Sequence, residues 1–247
     1  MPWEHTLHNY RLQQLLWAGL DWLYPPVCGG CDKAGFRWCP DCQKQAHPVP
    51  GPMCEVCGLP QPSPGVCAAC QASPPPFRAL RSWAVFEGPL RSAIHSLKYR
   101  RNLALGEALA RPLAEFARSF DWPVEAVVPV PLGRKRLRER GYNQVELIAM
   151  PMAAYNHWRF APQAVKRVRD TVSQVGLSMI ERQENMRGAF RADPKQVSGK
   201  TVLVVDDVAT TGATLSACSW AILSAGARQV FALTLAKTLP HHGLKDV

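Results

Sequence analysis

Beyond Pro76 the chain alternates short, continuous apolar runs with longer amphipathic stretches. Residues 80–86, 126–130, 202–205 and 229–235 have the composition of strands, and several are apolar enough to be buried on both faces. Residues 89–120 read as helical. Leu90, Ile94 and Leu97 share one face, and Leu103, Leu109, Leu113 and Phe116 continue an apolar surface after a break at 99–102. Helices are also expected over 142–155 and 212–225, the latter stopped by Gly226, while 133–141 (GRKRLRERG) reads as a basic connection. Strands alternating with helices predict an α/β domain on a mostly parallel sheet flanked by helices.

The first 76 residues break this pattern. They hold eight of the nine cysteines, most of the prolines and few long aliphatic runs, so the chain divides into 1–76 and 77–247. Charge divides at the same place. The first part carries Arg11, Lys33, Arg37 and Lys44 against Glu4, Asp21, Asp32, Asp41 and Glu55, so the overall charge of +10 belongs to the second. A basic domain favours anionic partners, either phosphorylated small molecules or nucleic acid.

Residues 10–24 (YRLQQLLWAGLDWLY) form an amphipathic helical stripe of Leu12, Leu15, Leu16, Leu20 and Leu23, with Trp17 and Trp22 beside it. Its expected use is docking onto the protein's own domains; lying on a membrane or a partner is the alternative. No secretory h-region opens the chain, and no apolar run approaches the ~18 residues of a spanning helix. The expected location is cytoplasmic, and the stripe also allows peripheral attachment to the inner face of the cytoplasmic membrane.

Eight cysteines form four CxxC pairs: Cys28/Cys31, Cys39/Cys42, Cys54/Cys57 and Cys67/Cys70. A two-residue gap lets one tight turn present two sulfurs to the same ion. Four such pairs in succession point to tetrahedral thiolate metal sites rather than disulfides. Eight ligands suit two closed zinc sites. Sequential pairing is the simplest arrangement, and an interleaved one is also compatible with the spacing. Four protein ligands leave no position for water, so the metal is expected to be structural, supplying roughly 10 to 16 kcal/mol per site in comparable isolated modules. His47 is expected to be a loop residue and not a ligand. Cys218 has no sequence partner and is expected to be a small buried hydrophobe.

The most specific chemistry lies in residues 201–214, TVLVVDDVATTGAT. A parallel strand delivers its C-terminal end to the edge where open α/β sheets bind ligands, which places Asp206 and Asp207 there. Adjacent carboxylates on an extended chain point to opposite sides, so at least one faces the crevice. There they can accept from ribose hydroxyls or hold magnesium. Ala209, Thr210, Thr211, Gly212, Ala213 and Thr214 then offer successive N–H groups, hydroxyls, a glycine for close approach and a helix N-terminus, a set suited to a 5′-phosphate. Helix capping alone accounts for one threonine and leaves the glycine and both carboxylates unexplained. Neither a G-x-x-x-x-G-K-[ST] loop nor a G-x-G-x-x-G fingerprint is present.

Residues 206–214 resemble the signature loop of the type I phosphoribosyltransferases. The chain as a whole is similar to the ComF/GntX family of competence-related proteins, which join an N-terminal double zinc ribbon to a domain of the type I phosphoribosyltransferase fold. The match is carried by the four CxxC pairs, IHSLKY at 94–99, VPVPLGRKRLRERGYNQ at 128–144, TVSQVGLSMIERQENMRG at 171–188, and the phosphate loop. It implies that Asp206 and Asp207 contact the ribose hydroxyls of phosphoribosyl pyrophosphate while 209–214 wrap its 5′-phosphate. It also implies a pyrophosphate loop at Val130, Pro131, Leu132, Gly133 and Arg134, with Arg136 and Arg140 nearby. A hood over 166–187, with Gln174, Arg182 and Asn185, would close on the reaction. Lys98 is a further candidate for the crevice.

If the chain turns over, the implied reaction is magnesium-dependent attack of a nucleophile, usually a nitrogen, on the anomeric carbon as pyrophosphate leaves. Asp206, Asp207, Arg134 and Arg182 are the catalytic candidates. Magnesium and the arginines would neutralise the departing diphosphate, and hood closure would exclude water. No nucleobase pocket is legible, so the acceptor is unspecified. The competence resemblance implies a setting in DNA uptake or in the utilisation of DNA and nucleotides. It also admits a non-catalytic protein binding single-stranded DNA, with 133–140 for charge and Tyr142 for stacking. A third reading is an adaptor for an uptake helicase or other competence proteins.

Overall fold

The computed structural model describes residues 25–169 and 188–239. The stripe at 10–24 and the hood residues Gln174, Arg182 and Asn185 lie outside the described residues. Two small cysteine modules come first, each closed by a short helix, α1 (Pro40–Lys44) and α2 (Ala68–Ala72). The larger domain runs β1 (Leu80–Val85), α3 (Gly88–Tyr99), α4 (Leu105–Arg118), β2 (Ala126–Pro129), α5 (Arg134–Arg140), α6 (Gln144–Tyr155), β3 (Arg159–Phe160), β4 (Val165–Arg167), β5 (Phe190–Ala192), α7 (Pro194–Val197), β6 (Thr201–Ala209), α8 (Ala213–Ser224) and β7 (Gln229–Lys237). Five strands form a parallel sheet in the order β1-β7-β6-β2-β3, while β4 and β5 pair as a separate antiparallel ribbon.

Alternation along β6 divides the core into two layers. Leu203 and Val205 pack with Leu90, Ile94 and Leu97 of α3, Leu109 and Leu113 of α4, and Ile148 and Met152 of α6. Val202 and Val204 face the other way, toward Leu215, Cys218 and Ile222 of α8. Burial on both faces is the reason the central strands read as unbroken apolar runs. Cys218 is fully buried, in the role of a small hydrophobe.

The cysteine modules are seated on this domain. Leu80 N donates to Val56 O at 2.7 Å and Val85 N to His47 O at 2.9 Å, so β1 is bonded along its outer edge to both modules' surroundings. Gly29 lies so close to α4 that a Cβ there would meet a Leu105 methyl at 2.3 Å. No helix among the described residues is long and apolar enough to cross a membrane.

Two boundaries differ from expectation. The expected basic connection is the helix α5, which Gly141 ends at φ 82 in the left-handed region. None of its side chains is buried, so it carries no apolar stripe to announce it. Strand β6 does not stop before the acidic pair but continues to Ala209, with Asp206 opposite Thr234 and Val208 opposite Ala236. Ladder hydrogen bonds come from the backbone, so a carboxylate need not end a strand. The expected break at 99–102 is present: α3 ends at Tyr99, and Arg101 adopts φ 54 before α4 begins.

Candidate ligand site and metal centres

Cys28, Cys31, Cys39 and Cys42 converge in one cluster and Cys54, Cys57, Cys67 and Cys70 in another, the ligand atoms of each lying within 4.8 Å of one another. Pairing is therefore sequential. The Sγ atoms of Cys28 and Cys42 are 3.6 Å apart, those of Cys31 and Cys39 3.7 Å, and those of Cys57 and Cys67 3.8 Å. A tetrahedron with bonds of about 2.3 Å puts its sulfurs about 3.8 Å apart, so both clusters fit structural zinc. Backbone amides point at the leading thiols. Cys39 N and Gly30 N donate to Cys28 Sγ, and Cys67 N and Cys57 N to Cys54 Sγ, at 3.3 to 3.5 Å. Burial pushes these two thiols up, but the amides outweigh it, and Cys28 is lowered to about 7 and Cys54 to about 6. His47 stays outside both clusters, its Nδ1 3.1 Å from Glu87 Oε1.

At the other functional locus, β6 sends its two carboxylates to opposite sides of the sheet edge. Asp207 follows Leu203 and Val205 toward α3 and α6. Its Oδ1 lies 3.3 Å from Lys98 Nζ, its Oδ2 accepts from Gln144 Nε2 at 2.6 Å, and the residue is 5% exposed. Lys98 thus reaches the crevice and is not a solvated helical lysine. The Gln144 carbonyl in turn accepts from Arg140, whose guanidinium lies 5.3 Å over the Tyr99 ring. A chain of contacts therefore runs from the surface at Tyr99 to the carboxylate of Asp207.

Asp206 faces the α8 side, where its charge acts on the thiol of Cys218. Its Oδ1 accepts from Asp207 N at 2.9 Å. Burial, then the neighbouring Asp207 charge, pushes its carboxyl up to about 8, against the weaker opposing effects of the Asp207 amide, Lys98 and Arg167. Near neutral pH this group is mostly protonated and can donate as well as accept.

The chain then turns through 209–214. Gly212 caps α8 at φ 77, a conformation that glycine adopts without strain. Thr211 Oγ1 accepts from Ala213 N at 3.4 Å, and Ser216 N donates to Gly212 O at 2.8 Å. Thr211 is exposed, Thr210 and Thr214 are half-buried, and Ala209, Gly212 and Ala213 are buried. Because β2 is the neighbour of β6, the 130–133 loop lies alongside. Val130 N donates to Val205 O at 2.9 Å, and Val130 O accepts from Asn143 Nδ2 at 3.1 Å. Pro131 and Leu132 are half-buried, and Gly133 caps α5.

One sheet edge thus gathers Asp206, Asp207, Lys98, the 130–133 loop and the 209–214 turn. Arg134 and Arg136 stand exposed on the rim in α5, Arg140 turns inward to Gln144, and Arg182 lies outside the described residues. The hydroxyl of Tyr142 donates to the Leu97 carbonyl, tying that ring to α3. Two residues of the site take a role that the sequence does not single out. Gln144 opens the helix QVELIAMPMAAY as a buried polar residue among buried residues that are otherwise apolar, and that mismatch is the signal that could have found it. Arg167 falls within the stretch 166–187 expected as the hood, yet it ends β4, with its guanidinium 5.6 Å over the Phe190 ring and its charge reaching Asp206.

Comparison with known proteins finds two domain families in the chain. The double zinc ribbon domain family matches residues 19–71 and the phosphoribosyl transferase domain family residues 149–246. The chain is 36% identical over 193 residues to the DNA utilization protein YhgH of Salmonella typhi, covering 76% of this chain and 85% of that protein. It is 30% identical over 208 residues to competence protein F of Haemophilus influenzae, covering 81% and 90%. A solved glutamine phosphoribosylpyrophosphate amidotransferase from B. subtilis is 20% identical with a TM-score of 0.36, over 57% of this chain and 26% of that one, so the chain spans about a quarter of its length. With both domains matched and relatives at 30% identity or more along most of their length, the chain belongs to the ComF/GntX family of competence-related proteins, a double zinc ribbon joined to a phosphoribosyltransferase domain.

Proposed function

We propose that the chain binds phosphoribosyl pyrophosphate at the edge of β6 and serves DNA uptake or the utilisation of DNA and nucleotides, in the cytoplasm or at the inner face of the membrane. The observation that carries this reading is the placement of Asp206 near the C-terminal end of β6, ahead of the turn whose buried Gly212 opens α8. A carboxyl there meets ribose hydroxyls, and the N–H groups of 209–214 meet the phosphate. The setting follows the names of the relatives, a DNA utilization protein and a competence protein.

The residues divide the ligand among them. Asp206 takes the ribose diol. Asp207, clamped by Lys98 and Gln144, fixes the strand beneath it. The 130–133 loop receives the diphosphate, with Arg134 and Arg182 supplying charge. Asp206 is the carboxyl of the pair that would be open to magnesium, since Asp207 is turned to the other face and held by Lys98 and Gln144. When bound, magnesium offsets charge on the departing diphosphate. Transfer to an acceptor then needs only that the nucleophile be held in line and water excluded.

Calorimetric titration of magnesium and phosphoribosyl pyrophosphate into the zinc-loaded chain is expected to show binding that the Asp206→Asn/Asp207→Asn double variant loses. No binding to the folded wild type sinks the proposal. Pyrophosphate release across a panel of bases tests turnover and identifies the acceptor. A second reading, single-stranded DNA binding as an accessory to the uptake helicase, is favoured by Arg134, Lys135, Arg136 and Arg138, all exposed on α5 beside the 62%-exposed Tyr99. Charge reversal at Arg134, Arg136 and Arg138 must then weaken DNA binding and flatten its salt dependence; an unchanged slope rules this footprint out.

A further inference from the structure

The second cysteine cluster is built into the floor beneath the 209–214 turn. Lys237, the last residue of the apolar strand β7, is 4% exposed, and its Nζ donates to the Cys57 carbonyl at 3.1 Å. Among the described residues no carboxylate pairs with it. The Lys237 amine is thus held against the loop of the second cluster and shielded from solvent. Four thiolates on a divalent ion carry a net charge of about −2, which a buried cation offsets without solvent. At the first cluster the neighbouring lysine is different in kind: Lys33 is exposed and paired with Asp41 at 3.0 Å.

Lys237 is also bonded into the ligand site. Its backbone pairs across the sheet with Ala209, and Thr238 N donates to Ala209 O at 3.0 Å. A second connection runs through side chains. Val56, between Cys54 and Cys57, accepts from Leu80 N and packs in one apolar cluster with Leu80, Ala209 and Ala213. The Leu80 side chain also lies nearest to Gly212, where an added Cβ would meet it at 3.9 Å.

We infer that Lys237 is a positioning residue whose buried ammonium neutralises the zinc–thiolate charge of the Cys54 cluster and, through Ala209, fixes the 209–214 turn, so that zinc occupancy and the order of this turn are coupled. The consequence for ligand binding rests on the phosphate role proposed above for that turn. The coupling itself does not.

The test uses the full zinc-loaded chain. Lys237→Met is expected to speed transfer of one of the two zinc ions to a chelator by on the order of ten- to a hundredfold. Thiol alkylation should place the loss at Cys57 and Cys67, and amide hydrogen exchange across 209–214 should rise. Lys237→Arg keeps the charge and is expected to restore both. Unchanged zinc transfer in a folded Lys237→Met chain, or faster transfer with unchanged exchange, overturns the inference. If that variant does not fold, chelator titration of the wild type gives the same reading: protection at 209–214 must fall as alkylation at Cys57 and Cys67 rises. Protection that survives emptying of the cluster overturns the coupling. Neither readout uses phosphoribosyl pyrophosphate, so a wild type that fails to bind it counts against the ligand alone.

Discussion

Lys98 Nζ stands 3.3 Å from Asp207 Oδ1, and with it the last turn of α3 is joined to the middle of the sheet. Both side chains are largely buried, 15% and 7% exposed. Removing one partner of a buried pair leaves the other charge uncompensated, at a cost of about 3 to 5 kcal/mol, whereas removing both costs far less. Lys98→Met should therefore destabilise the fold by roughly that amount, and the Lys98→Met/Asp207→Asn double variant by less than the single one. Urea unfolding of the four-member cycle measures the difference.

Asp206 holds its proton at about 8 in the folded chain, against 3.8 for an ordinary aspartate. The folded state binds the proton more tightly, so the stability this group contributes is full below 3.8 and is lost as pH rises toward 8. The thermal midpoint of the wild type should fall with pH across the neutral range more steeply than that of Asp206→Asn, whose amide does not titrate. The gap should be read against about 2 to 4 °C per kcal/mol for a chain of this size. Parallel pH profiles for the two proteins would refute the burial argument.

Gly106 in α4 faces Leu147 of α6 so closely that a Cβ would lie 2.6 Å from the Leu147 Cβ and 2.8 Å from its carbonyl oxygen. Backbone cannot yield as a side-chain tip can. Gly106→Ala, which by helix propensity alone would stabilise by ~1 kcal/mol, should instead destabilise by about 1 to 3 kcal/mol. A higher thermal midpoint in the variant would show that the two helices have room to separate.

The two clusters predict two zinc ions per chain by elemental mass spectrometry. Cys28→Ser and Cys54→Ser should each lower the content by about one ion, because four thiolates serve each site and neither cluster shares a ligand with the other. A content of zero in either single variant would mean the sites fill only together.

Much of this arrangement is legible in the sequence, and the exceptions share a cause. Residues 202–205 announce a buried strand because both of its faces are covered, and the CxxC spacing announces the metal sites because two sulfurs must come from one turn. The helix α5 is invisible because nothing covers it. The clamp on Asp207 is invisible for another reason: Lys98 and Gln144 are separated from it by 109 and 63 positions, and only the packing of α3 and α6 on one face of β6 brings them together. The same holds for Lys237, which reads as the charged end of a strand until the fold places a metal module beneath it.

The division of the acidic pair between two faces depends on parity. Val202, Val204 and Asp206 point one way, Leu203, Val205 and Asp207 the other, in a strand hydrogen-bonded on both sides. Inserting or deleting one residue within β6 ahead of the pair would exchange the two carboxylates, setting the clamped one under the turn and the raised one against Lys98. Loops around this site can lengthen or shorten over evolutionary time, but the count of residues from Thr201 to Asp207 cannot change by one and leave a working site.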